Sequence, residues 1–289
     1  FDASGKISHI GLEAADVTGS YATGPLIGIA SANGTVNDSY ATGTASGSTV
    51  GGLVGAVSDN AKINNSRAAT SFSKSARVGG LVGMTLDNAT IANSYATGSV
   101  DGDDLVGGLL GHNNENATVI NSYATGSVNG STNVGGLVGD VEESSSIEQS
   151  YATGKVTGSE GVGGLVGDRG TGEGAAVIAK SYATGNVSGL NEVGGLIGRQ
   201  ASGIVKQSYA SGAVNGSSQV GGLIGTQTNR ASVTESYAIG NVSGSDSTGG
   251  LVGRQTNQVT VTDSYWDTDA TGKANSAGSA TGLSTAQMT

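Results

Sequence analysis

The sequence predicts an all-β chain wound as a parallel β-solenoid (β-helix), about nine coils of roughly 28 residues with capped ends. Three observations carry this. A Gly-Gly pair recurs at Gly51, Gly79, Gly107, Gly135, Gly163, Gly194, Gly221 and Gly249, in steps of 28, 28, 28, 28, 31, 27 and 28 residues. A fixed period of this length marks a stacked repeat array. Between the glycine pairs lie short runs rich in Val, Ile, Thr and Tyr, bounded by Gly, Ser, Asn and Asp, which read as strands. No segment has a 3.6-residue apolar period or a helix start signal. A propeller blade usually takes ~40–50 residues and four strands, so a 28-residue unit fits one solenoid coil better.

Within one unit the expected strands are three: Val119 to Thr125, Ser127 to Asn129, and Val134 to Val138. Coils stacked at ~4.8 Å would make a rod of roughly 40 to 45 Å. The position three before the repeat serine is always a branched aliphatic: Val36, Ile63, Ile91, Val119, Ile147, Ile178, Val205, Val233 and Val261. That column is a core stripe. A second runs from Leu53 to Leu251, and another from Val54 to Val252 stands one residue later. Adjacent residues of a regular strand face opposite ways, so two neighbouring inward columns require a bend near the glycines. The fixed glycines themselves imply corners with φ > 0 or close backbone approach. The stretch after each GGLVG varies in sequence and length and reads as a loop, with a three-residue insertion around Gly170 to Gly174.

The ends break the pattern, as an open stack of strands requires. Residues 1–38 are expected to form an irregular N-terminal coil or cap around the only proline, Pro25, with a short copy of the phrase at Ser20. Residues 39–266 hold the tandem repeats, and residues 267–289 a C-terminal cap. Trp266 stands where inner repeats carry alanine, a substitution the last rung can accept because no coil follows it.

Composition excludes several function classes. The chain has 289 residues, 52 glycines, no cysteine and a net charge of −10. Without cysteine there is no disulfide framework and no thiolate metal site. The acidic balance argues against nucleic acid and against anionic membrane surfaces. No apolar run approaches the ~20 residues of a spanning helix, so no membrane insertion is expected. The chain opens at Phe1 rather than Met with no signal-like segment, which predicts a mature or excised piece of a larger exported polypeptide.

The GGLVG phrase with "SYATG" and "V.G" between copies resembles the GLUG repeat of bacterial surface and secreted proteins. The ending "SYWDTDATGKANSAGSATGLSTAQMT" is similar to the one that follows such arrays in large haemagglutinin-type adhesins. The resemblance covers residues 20 to 289. Arg67 in "SRAATSFSKS" and Ile239 in "SYAIG" depart from it. It implies a bacterial adhesin's cell-surface or secreted module, for cell adhesion rather than catalysis. The implied partners are a host or neighbouring cell surface and a glycan or protein ligand.

No catalytic constellation is visible. His9 and His112 lie far apart and outside any metal-ligand spacing, so both read as solvated loop residues, and no metal ligand and no cofactor is assigned. Asp101, Asp103 and Asp104, or Asp267 and Asp269, are the sites calcium would take. The second set lacks the acidic residue twelve positions in, which is Gly278. The ordered surface candidate is a ladder. If Ala96, Ala124, Ala152, Ala183 and Ala210 point inward, their neighbours point outward. Tyr95, Thr97, Tyr123, Thr125, Tyr151, Thr153, Tyr182, Thr184, Tyr209 and Tyr237 then form the candidate ligand-binding face, extended by Tyr21, Tyr40, Thr42 and Tyr265. Such a face could bind a glycan or partner strand, or the tyrosines could simply hold coil to coil. An alternative is an ice-binding solenoid using the Tyr-x-Thr face, although Ser211 and Ile239 break the rank. A second alternative is a polysaccharide-acting β-helix enzyme, which needs acidic or basic groups on one face at neighbouring coils.

Overall fold

The computed structural model describes residues 2–3, 5–72, 75–170, 176–256 and 258–289. They form a parallel β-solenoid, and every strand pairing among them is parallel. Five sheets run along the rod rather than three. In one inner coil the strands are Thr118–Ile120, Tyr123–Ala124, Val128–Asn129, Thr132–Gly135 and Val138–Val141. Below, first to fifth sheet refers to this order. Register is strict: Val119 lies between Ile91 and Ile147, and Tyr123 between Tyr95 and Tyr151.

Two of the three expected strands are each broken in two. The break in the first falls at Asn121, whose φ is +50°. The same left-handed corner recurs at Asn65, Asn93, Gln149, Lys180, Gln207, Glu235 and Asp263, with φ from 47° to 51°. The positive-φ corners expected at the fixed glycines therefore sit mainly on polar residues instead. The repeat glycines answer to the other expectation, close approach. A Cβ on Gly136 would lie 2.0 Å from the carbonyl oxygen of Gly164, and one on Gly139 2.5 Å from the backbone of Leu105. Gly139 is where the fourth sheet lies directly against the fifth.

The serine that follows each corner repairs the backbone ladder. Ser122 Oγ accepts the Ser94 N–H at 3.2 Å and donates to the Ile120 carbonyl at 2.8 Å. The relay continues from Ser39 to Ser264 at 3.1–3.2 Å per step. These serines are 0–2% exposed, so their backbone N–H groups have no water to turn to.

The core has two parts. The larger is filled by the Val119, Ala124, Leu137 and Val138 columns. Leu137 and Val138 are both fully buried because the chain bends at Gly136–Leu137 between the fourth and fifth strands. The smaller is a valine seam between the third and fourth sheets, with Val128 and Val134 as its members in this coil.

At the C-terminal end Trp266 pairs with Ala238 in register, is 5% exposed, and donates from Nε1 to the Lys273 carbonyl at 2.8 Å. The tail then turns through α1 (Thr268–Thr271) and adds the strand Thr281–Leu283 beside Tyr265–Asp267. Ser276 and Ser279 bond to the backbone of Val252 and Val261 in the last coil. Most of the insertion expected around Gly170 to Gly174 falls outside the described residues.

Replacing Ser122 with alanine orphans the buried Ser94 N–H. Urea unfolding of Ser122→Ala is expected to show a loss of about 1–3 kcal/mol. The exposed Ser127→Ala should stay within about 0.5 kcal/mol of the parent chain.

Candidate functional site

The second sheet turns its alanines inward and its tyrosines outward. Ala96, Ala124, Ala152, Ala183, Ala210 and Ala238 are all fully buried, and the tyrosine before each is half-buried. Tyr95, Tyr123, Tyr151, Tyr182, Tyr209 and Tyr237 form one continuous stack, with ring centroids 4.8–5.0 Å apart and planes within 1–6° of parallel. Thr97, Thr125, Thr153 and Thr184 lie exposed beside them. All ten residues of the expected face are therefore brought together.

Stacking decides what this face can offer. Each inner ring spends both faces on its neighbours, so solvent meets ring edges, hydroxyls and the threonine rank. Burial raises the Tyr123, Tyr182 and Tyr209 phenols above their ordinary value, and neighbouring tyrosines add to it.

The ladder is bounded differently from the expectation. Tyr21 does not join it: Ala22–Thr23 pairs with Thr49–Val50 in the fourth sheet, and Gly11 stands opposite Tyr40. Nineteen residues separate Tyr21 from Tyr40, too few for a coil of about 28. One rung on from Tyr40 comes Arg67, its guanidinium 4.4 Å from the Tyr40 ring centre. A recess of about 190 Å³ opens around Arg67 between Tyr40 and Tyr95. At the other end Tyr265 is 38% exposed, and a recess of about 700 Å³ is lined by Tyr237, Ile239, Tyr265, Leu283 and Met288.

Three of the acidic groups considered for calcium, Asp101, Asp267 and Asp269, accept hydrogen bonds from the chain itself. Asp267 caps α1, its Oδ1 accepting the Asp269 and Ala270 N–H groups at 2.9 and 3.0 Å and its Oδ2 the Thr285 hydroxyl at 2.7 Å. The Ala270 N–H, foremost among these donors, holds its carboxyl below the usual range. Asp269 accepts the Thr285 N–H. Asp101, exposed, accepts from Asn129 at 3.2 Å, and Asp103 and Asp104 are exposed.

A second polar cluster was missed. His112, expected in a solvated loop, lies in the strand Leu110–Asn113 and is 9% exposed. His9 is exposed. The first residues after GGLVG, read as loop, continue the fifth strand. They place His112, Asp140, Asp168 and Arg199 on four successive coils in direct register. Arg199 grips Asp168 through Nε at 3.0 Å and through NH2. Asp140 has no such partner. Burial, helped by the Asp168 and Glu142 charges, pushes its carboxyl up to about 8, and burial lowers the His112 imidazole. Aligning the repeats on Gly-Gly puts these four residues in one column, which was the available signal.

Because a mid-ladder ring has two stacked partners, Tyr151→Ala is expected to lose about 1–3 kcal/mol in denaturant unfolding. Tyr151→Phe, which keeps the stack, should remain close to the parent chain.

Residues 75–101, 102–129, 130–157 and 216–243 match the family model of the GLUG motif. No curated protein and no solved structure matches the chain. Each matched stretch is about one coil long, and three of them abut. The solenoid thus contains a GLUG-repeat region in which one motif builds one coil.

Proposed function

We propose that the chain is a non-catalytic module of a larger exported adhesin of the haemagglutinin type, acting outside the bacterial cell as a rigid stalk with an adhesive face. The observation that carries this reading is the unbroken tyrosine stack: six rungs in register give a long surface of one repeating chemistry. A surface with a repeat of 4.8–5.0 Å suits an extended partner, such as a glycan chain or a protein strand on a cell surface.

Physical detail narrows the mode of contact. Inner rings offer edges and hydroxyls, which hydrogen-bond but cannot stack under a sugar. Outside the stack, aromatic surface is open at Tyr21, which is 59% exposed, and in the recess beside Tyr237 and Tyr265. Against catalysis, Asp140 and His112 are 5% and 9% exposed, too enclosed to meet a polysaccharide chain, and Asp168 is held by Arg199. Among the described residues no helix is long and apolar enough to cross a membrane.

The test is binding of the purified chain to a glycan array and to intact cells, beside the triple variant Tyr123→Ala/Tyr151→Ala/Tyr182→Ala. Binding is expected in the parent and lost in the variant, with circular dichroism showing that the variant still folds. Absence of binding by both, with the variant markedly less stable, would make the ladder a structural seam and the module a spacer.

A further inference from the structure

The fifth sheet holds a cluster that a passive rod does not use. His112 and Asp140 are register partners on adjacent coils, and Glu142 follows directly on the end of the strand that carries Asp140. His112 Nε2 is 3.4 Å from Glu142 Oε2 and 3.7 Å from Asp140 Oδ2, and all three ligand atoms lie within 4.8 Å of one another. Asp140 is 5% exposed, yet its Oδ1 has no hydrogen-bond partner, and neither ring nitrogen of His112 has one. A buried polar atom left unpaired costs about 1–3 kcal/mol, and of these atoms His112 Nε2 is the one that faces both carboxylates.

We infer that His112, Asp140 and Glu142 form a site for one divalent transition-metal ion of the zinc class. A tetrahedral ion with bonds of ~2.0–2.1 Å holds its ligand atoms about 3.4 Å apart. The His112–Glu142 distance already meets this, and the His112–Asp140 distance needs only a few tenths of an ångström. The wider carboxylate–carboxylate gap closes by torsions of Glu142, whose side chain is 42% exposed and leaves the ion a way in.

The donor set selects the ion. Calcium takes six to eight oxygen ligands and magnesium keeps a water shell, whereas one imidazole and two carboxylates suit zinc, cobalt or nickel. Three protein donors leave a fourth position for water. Nearby cations do not already fill the role. Arg199 is engaged by Asp168 and also lies 3.9 Å from Glu192, and Arg169 donates to the carbonyls of Gly170 and Glu143.

The experiment is isothermal titration of the chelator-treated chain with zinc chloride, with calcium chloride as comparison and cobalt chloride for its visible spectrum. One zinc per chain is expected, with a raised Tm, a cobalt band typical of tetrahedral N/O ligation, and weaker binding of calcium. Glu142→Gln and His112→Gln should each weaken zinc by about tenfold or more, while His9→Gln leaves it unchanged. Glu142 is the more exposed, so Glu142→Gln decides the matter if His112→Gln fails to fold. A titration without zinc binding, a preference for calcium, or unchanged affinity in Glu142→Gln overturns the site.

Discussion

In-register stacking governs this molecule: every residue meets its own equivalent one coil above and one below. A column survives only if its residue is a good neighbour to itself. Valine, isoleucine and leucine satisfy this by packing, serine by relaying one hydrogen bond to the next, and tyrosine by lying flat on tyrosine. The glycine columns follow from the same rule, since a Cβ on Gly136 would strike the backbone of the equivalent glycine one coil on. A charge is a poor self-neighbour. The left-handed corner column accordingly mixes Asn, Gln, Lys, Glu and Asp. Where like charges do stack, as at Asp59, Asp87, Glu115 and Glu143, they stand on a half-buried to exposed corner that water reaches and screens.

The Asp140–Asp168 step is the buried exception. Two carboxylates in direct register at 5% and 3% exposure repel in a medium that screens weakly. Arg199 relieves the pair from one side by taking Asp168. On the other side stand His112 and Glu142, and a bound cation there would complete the compensation. The departure from self-similarity is thus a local electrostatic problem for which the chain supplies one visible solution, with the donors for a second.

Much of this architecture was legible in the residues. The period, the Val119 and Leu137 stripes and the inward alanine column all follow from repetition plus alternation, because both are properties of the chain itself. The five-strand coil was not legible. A left-handed corner at Asn121 or Lys180 leaves no composition signal, since the residues found there are those of any exposed turn. The serine beside it looked like an alignment marker because its role is a contact between coils. The valine seam of Val128 and Val134 was hidden in the same way, each valine being an ordinary strand former until the third and fourth strands fold together. His112 lies in a strand although its segment varies from repeat to repeat, because a variable segment need not be a loop. In a solenoid, strand residues pointing away from the main core can vary as freely as loop residues.

Such a fold also dictates where chemistry can reside. Perfect repetition produces equivalent surfaces, and equivalent surfaces offer affinity by accumulation, as the tyrosine and threonine rows do. A unique site needs a break in the repetition. Besides Ser211 and Ile239 in the threonine rank, three stand out among the described residues: Arg67 in the tyrosine column, the His112 to Arg199 row, and the Trp266 rung with its recess. At Arg67 a cation replaces a ring and opens a notch. At Trp266 a large ring replaces a methyl, ends the stack, and leaves aromatic surface uncovered beside Tyr237 and Tyr265. Between Arg67 and Trp266 the tyrosine face is uniform, and the coils that carry it are stiff because each strand is bonded on both sides. The regular part of the rod sets the distance between its distinctive points, and the tyrosine face joins the two at its ends.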